Sequence, residues 1–143
     1  MRRALRRDGF AAAIIDEVVE RLRTERYLDD AGYAARFARS RLAHHGLGQR
    51  RVQAALAQKG VARATIAEGL RSALAEVSEQ DTLDTLARRY WRGHSQDEPA
   101  RRMRKLWAFL CRRGFPPALV DDRLRALWPK WREALEGLEA ADD

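Results

Sequence analysis

The chain has 143 residues, 34% of them charged and 45% hydrophobic, with a formal net charge of +7. That is about one domain's worth of chain, and the balance excludes a disordered protein. The longest uncharged apolar run, Phe10 to Ile15, falls far short of the ~20 residues of a membrane span, and the single cysteine, Cys111, excludes an intrachain disulfide or a thiolate zinc cage.

Alanine and arginine each occur 25 times and leucine 17 times, while isoleucine and valine together reach 9. Few β-branched residues among so many helix formers predict helix almost throughout. In chain order, residues 2–8 read as the tail of a helix, and helices are expected at 11–25, 30–44, 49–59, 62–76, 79–92, 99–113, 116–128 and 130–139. Ile14, Val18, Val19 and Leu22 make the apolar stripe of the first. Tyr33, Phe37, Ala34 and Ala38 make that of the second, with Asp29 or Asp30 as its cap. Val52, Ala55 and Leu56 follow in the third, and Leu83, Leu86, Ala87 and Tyr90 in the fifth. Met103, Leu106, Trp107 and Leu110 recur at i, i+3, i+4 and i+7 in the sixth. Ser78 with Asp81 three residues on resembles a capping box. Pro99, Pro116, Pro117 and Pro129 stand at helix starts, where a missing N–H costs nothing. Gly9, Gly60, Gly93 and Gly114 stand at helix ends, as left-handed caps.

The string Leu-x-x-x-Gly-apolar recurs at near-constant spacing at Leu5–Phe10, Leu56–Val61 and Leu110–Phe115. Its glycines are 51 and 54 residues apart, and each is followed by an amphipathic stretch. One supersecondary unit of three helices is thus used repeatedly. The expected fold is all-α: tandem three-helix repeats forming an elongated or curved body. The expected units are 1–60 (its start incomplete), 61–114, and a partial third at 115–143.

Positive charge is concentrated in residues 1–60, with 13 basic against 7 acidic groups. A second cluster lies at Arg101–Arg113, where Arg101, Lys105 and Arg112 fall opposite the apolar stripe. Arginine there can fork onto carboxylates or phosphates. Arg50 and Arg51 open a helix, a position slightly unfavourable for cations. They are read either as partner contacts or as partners of Asp29, Asp30 or Glu25. Arg41 and Lys59 complete the candidate basic face. The tryptophans, Trp91, Trp107, Trp128 and Trp131, and the other aromatic rings mostly continue apolar stripes and read as core, although such rings also stack bases in single-strand binders. Tyr33, Phe37, Leu56, Trp107 and Leu110 are expected to be mostly buried. His44-His45 diverge on a helix and lack a third ligand. Cys111 reads as a buried, inert thiol, and Asp121-Asp122 as first-turn carboxylates favoured by the helix dipole. No phosphate loop or nucleophile elbow is visible. The expectation is a binding protein, not an enzyme, with no catalytic residue, metal or cofactor. The N-terminus lacks a secretory apolar core, so a cytoplasmic location is expected.

Gly9-Phe10, Tyr27-Leu28-Asp29-Asp30, Tyr33-Ala34, Phe37, Ser40-Arg41, Gly46-Leu47-Gly48, Arg51, Leu56, Lys59-Gly60-Val61 and Arg112-Arg113-Gly114-Phe115 together closely resemble the RecX regulatory proteins of bacteria. The resemblance spans nearly the whole chain and is most specific over Tyr27–Val61. It implies tandem three-helix repeats, binding to the RecA recombinase filament, and inhibition of its recombinase, ATPase and co-protease activities, moderating DNA repair and the SOS response. Direct binding of single- or double-stranded DNA is implied for some members. Family members carry a further helix before the Leu5 segment, and Val61 stands where the other two repeats have phenylalanine. The protein is taken as a monomer with no membrane partner. The alternative is a basic helical-repeat nucleic-acid binder without a recombinase partner.

Overall fold

The computed structural model describes residues 11–130 and Glu133. Among the described residues, six helices are bounded: α1 (Ala12–His44), α2 (Gln49–Gln58), α3 (Arg63–Glu76), α4 (Glu79–Gly93), α5 (Pro99–Arg112) and α6 (Pro117–Leu127). No strand occurs among the described residues. The expected helix at 2–8, that at 130–139 apart from Lys130 and Glu133, the first copy of the repeated string, and the placement of Trp131 lie outside the described residues.

The helices form two three-helix units in tandem. In the first, Ala34, Ala38 and Leu42 of α1, Val52 and Leu56 of α2, and Ile66, Leu70 and Ala73 of α3 share one core. In the second, Leu83 and Ala87 of α4, Met103, Leu106 and Leu110 of α5, and Val120 and Leu124 of α6 close around Phe115. The cores divide the described chain near Val77–Ser78, not at 60 and 114. The repeated string joins the end of one helix to the start of the next, so it marks the period of the fold and not a boundary.

That period is exact in its hydrogen bonds. At the end of α2, Val61 N–H donates to the Leu56 carbonyl and Gly60 N–H to that of Ala57. At the end of α5, Phe115 N–H donates to Leu110 and Gly114 N–H to Cys111. Both are Schellman closures, with Gly60 at φ +83° and Gly114 at φ +98°. Leu56 and Leu110, the matching positions, are fully buried. Gly93 is instead the last residue of α4 and does not take the left-handed conformation.

The start signals hold in most places. Ser78 Oγ accepts from Asp81 N–H at 3.1 Å. Pro99 opens α5 behind Glu98, whose carboxylate accepts from Ala100 and Arg101 N–H at 3.3 and 3.2 Å. Asp121 and Asp122 lie beyond the first turn of α6, and Asp121 Oδ1 accepts from the Trp107 indole at 2.8 Å. That bond explains why Trp107 is half-buried and not enclosed: its polar edge reaches across to α6.

Two expectations for α1 are corrected. The separate helices at 11–25 and 30–44 are one helix of 33 residues, about 50 Å long at 1.5 Å per residue. No proline interrupts it, so the N–H groups that Asp29 or Asp30 would have capped are used by the preceding turn. The apolar stripes are also rotated. Ile15 and Val19 are buried, while Ile14, Val18 and Leu22 are exposed, Ile14 at 50%. Further along, Ala34, Ala38 and Leu42 face the core, Phe37 is half-buried and Tyr33 is 38% exposed. Small residues occupy the crossing because α1 lies almost on the backbone of α3. A Cβ added at Gly69 would stand 2.8 Å from the Ala34 Cβ. Tyr27 Oη donates across the same crossing to Glu68 at 2.5 Å. The larger rings are therefore pushed to its flank. In the second unit, Arg123 of α6 grips Asp84 of α4 through two bonds of 2.8 and 2.5 Å.

Candidate interaction surface

The two units meet where α2 begins and α5 ends. α2 has no side-chain cap of its own. Its free N–H groups are met from the other unit: Gly48 N–H donates to the Arg113 carbonyl at 2.8 Å and Arg50 N–H to that of Gly114 at 2.9 Å. The Glu79 carboxylate accepts from Gln49 N–H at 3.1 Å and from Gln49 Nε2 at 2.9 Å. The C-terminal end of one helix thus caps the N-terminal end of another. Glycine is required on both sides, because a Cβ on Gly48 would enter the Gly114–Phe115 peptide and one on Gly114 would enter the backbone of Arg51.

This joint decides where the candidate cations go. Arg51 Nη1 donates to the Arg112 carbonyl at 3.0 Å. Arg113 Nε and Nη2 reach the Gly46 and His45 carbonyls at 3.1 and 2.6 Å. Arg50, Arg51, Arg112 and Arg113 therefore crowd one joint, with the exposed Arg50 and Arg112 side chains free of any ion pair among the described residues. The pairing of Arg50 and Arg51 with Asp29, Asp30 or Glu25 does not occur. The dipole cost of two arginines at a helix start is met by the carbonyl end of α5 placed opposite.

Arg101 and Lys105 continue the patch. On α5 they share a face with Arg112, because spacings of four and eleven residues return to nearly the same helix angle. Arg104 joins them around Ala108. Lys105 is paired with Asp97 at 3.3 Å, whereas Arg101 has no ion pair among the described residues. Arg41 and Lys59 are placed apart from this group. Both lie over the Phe37 ring, at 4.9 and 5.7 Å from its centroid, with the exposed Tyr33 ring 5.9 Å from that of Phe37. Lys59 stands at the opposite end of α2 from Arg50 and Arg51, about 13 Å away along the helix. The seven candidates thus form two groups.

Two residues of the joint were not singled out from sequence. Arg113 precedes the repeated glycine, and only the docking of the units reveals its carbonyl partners. Glu79 is nearly buried. Burial pushes its carboxyl above the usual range, against the opposing effect of the Gln49 donors. Its sole sequence signal was an acidic residue in a first turn. Cys111 is half-buried and its thiol is pushed up, first by burial and then by Asp121, so it is a poor nucleophile at neutral pH. Among the described residues, no three His, Cys, Asp or Glu side chains gather as a metal site would need, and no helix is long and apolar enough to cross a membrane.

Comparison with known proteins agrees with this architecture. Residues 29–70 match the model of the RecX second three-helix domain, and residues 78–128 that of the third. The second span contains the whole of the second core, and the first span all of the first core but Ala73. The Regulatory protein RecX of Pseudomonas putida (strain GB-1) is 32% identical over 118 residues, covering 82% of this chain and 73% of that protein. The crystal structure of RecX from Lactobacillus salivarius has the same fold, with a TM-score of 0.64 at 20% identity, covering 88% of this chain and 81% of that one. A further crystal structure of a regulatory protein RecX gives a TM-score of 0.62 at 23% identity, with 83% of this chain covering 59% of that chain. The chain belongs to the RecX family of regulatory proteins.

Proposed function

We propose that this protein binds the RecA recombinase filament on DNA in the cytoplasm and inhibits its ATPase, recombinase and co-protease activities, moderating DNA repair and the SOS response. The observation that carries this reading is the joint between the units, where Arg50, Arg51 and Arg112 gather and Arg101 and Lys105 extend the patch along α5. A tandem-unit body with a continuous cationic face suits a long, anionic target, and touching more than one filament subunit blocks strand exchange. Catalysis has no part in it: the protein acts by occupying a surface.

A second reading, a basic nucleic-acid binder without a recombinase partner, is supported by the other group. Tyr33 is an exposed ring beside Phe37, and Arg41 and Lys59 flank it, the mixture of aromatic and cation that single strands use. Hydrolysis of ATP by RecA on single-stranded DNA, measured with and without this protein at equal DNA saturation, separates the two. Inhibition together with co-sedimentation on RecA-coated DNA but not on bare DNA supports the first reading. Equal retention on bare DNA with no effect on hydrolysis refutes it.

A further inference from the structure

Trp91 of α4, Pro99 and Met103 of α5, and Leu127, Trp128, Pro129 and Lys130 after α6 enclose a groove of about 440 Å³. Apart from Lys130 its walls are apolar, and the Trp91 and Trp128 rings stand 5.0 Å apart. A cation lies beside it: the Arg102 guanidinium sits 3.8 Å above the Trp91 ring. Its Nε is buried without a hydrogen-bond partner, and among the described residues no carboxylate pairs with it. A desolvated guanidinium N–H lacking an acceptor is costly. The groove therefore presents an apolar surface with an unpaired guanidinium on its flank.

The chain itself holds a segment of complementary chemistry. Lys130 lines the groove, and the sequence continues Trp131-Arg132-Glu133-Ala134-Leu135-Glu136-Gly137-Leu138-Glu139-Ala140-Ala141-Asp142-Asp143. This stretch carries five acidic residues and one basic in a chain whose net charge is +7, with Trp131, Leu135 and Leu138 as its large apolar residues. Thirteen residues reach up to about 43 Å when extended, so the tether does not limit access. A short tether also supplies an effective concentration of about a millimolar, which an acidic competitor in solution must exceed.

We propose that the groove is the docking site of the chain's own acidic C-terminal segment, residues 131–143, which sets apolar side chains against Trp91 and Trp128 and offers a carboxylate to the Arg102 guanidinium. The segment then acts as an internal competitor, shielding this end of α5 from any acidic partner until that partner displaces it.

The chain has two methionines, Met1 and Met103, so a full-length sample labelled with ¹³C at the methionine methyls gives one reporter in the groove and one remote from it in sequence. In the full chain, the Met103 methyl is expected to show cross-relaxation to leucine methyls that disappears in Leu135→Asp/Leu138→Asp. Its resonance shifts in that variant while circular dichroism stays unchanged. Glu136→Lys/Glu139→Lys, and separately Arg102→Glu, are expected to shift the same resonance, whereas Arg102→Lys moves it less. A Met103 resonance indifferent to the substitutions at positions 135–139 overturns the proposal. So does a shift that vanishes on dilution of the wild-type chain, which assigns the groove to a second copy.

Discussion

Gly60 and Gly114 occupy the same place in the repeat, have similar positive φ values, and close the same hydrogen bonds, yet their surroundings are opposite. A Cβ at Gly60 meets nothing within 4 Å, whereas one at Gly114 would enter the backbone of Arg51. Gly60→Ala therefore measures the backbone term alone, about 1–2 kcal/mol for a side chain held in the left-handed region. Gly114→Ala adds displacement of the joint. The Gly48-to-Arg113 and Arg50-to-Gly114 hydrogen bonds and the Arg51 bond to Arg112 are stretched or lost, at about 1 kcal/mol each. The expected total is about 3–5 kcal/mol, a large share of the stability of a small domain. The simple expectation of about 1 kcal/mol from the φ angle alone is too small for Gly114. Urea unfolding followed by circular dichroism, with wild type and both variants fitted together, gives the difference. Equal losses for the two variants refute the close-approach argument, because the φ term is common to both. A Gly114→Ala transition that splits into two steps supports it, since the units then unfold separately.

Three further predictions follow from the same contacts. Trp107→Phe removes the indole bond to Asp121 and is expected to cost about 1–3 kcal/mol; Asp121→Asn keeps an acceptor and costs less, as denaturant midpoints will report. Burial raises the Glu79 carboxyl, so its contribution to stability is fully present below the unfolded-state pKa and is lost as pH rises through the higher folded-state value. Thermal scans from acid to neutral pH are expected to show wild type losing ground to Glu79→Gln across that window, and parallel curves would argue against it. Reversing Arg50 and Arg112 to Glu, neither side chain being bonded in the joint, leaves the helices intact and is expected to weaken inhibition of filament ATPase at least tenfold, about 1.4 kcal/mol; full inhibition by the folded double variant sinks the basic-face mechanism.

Arg51 is left out of that double reversal for a structural reason. Its guanidinium holds the Arg112 carbonyl and its backbone lies against Gly114. Arg51→Glu therefore confounds loss of charge with loss of the joint, and a result from it alone decides nothing about binding.

The parts of the fold that were legible in the sequence are those set by local chemistry. Leu56-to-Val61 and Leu110-to-Phe115 announce their closures because the left-handed turn needs glycine and the residue after it returns to the core. Ser78 and Pro99 announce starts for equally local reasons. The break expected near Asp29 was not there because an Asx cap and a mid-helix aspartate look alike in sequence, and the packing of α1 on α3 favours the longer helix. The stripe at Tyr33 and Phe37 failed for a related cause. Periodicity gives a face but not its centre, and the near contact of Ala34 with Gly69 sets that centre from a distance of 35 residues. The charges of the basic face could be listed from sequence, but their division into two groups could not. It depends on Gly48 meeting Gly114, a contact between residues 66 positions apart.

That contact also links the charge of the patch to the stability of the fold. Arg50 and Arg51 begin a helix, where cations oppose the dipole, and Arg112 ends one, where a cation is favoured. Docking the carbonyl end of α5 on the amide end of α2 supplies negative partial charge where Arg50 and Arg51 need it and leaves the exposed head groups of Arg50 and Arg112 without acidic partners among the described residues. Were the units to separate, the four arginines would part in two pairs and the α2 amides would lose their acceptors together. The cationic patch is therefore a property of the docked pair of units and of neither unit alone, so under the proposed basic-face mechanism a substitution that loosens the joint without touching a charge, such as Gly114→Ala, is expected to lower inhibition of filament ATPase along with stability.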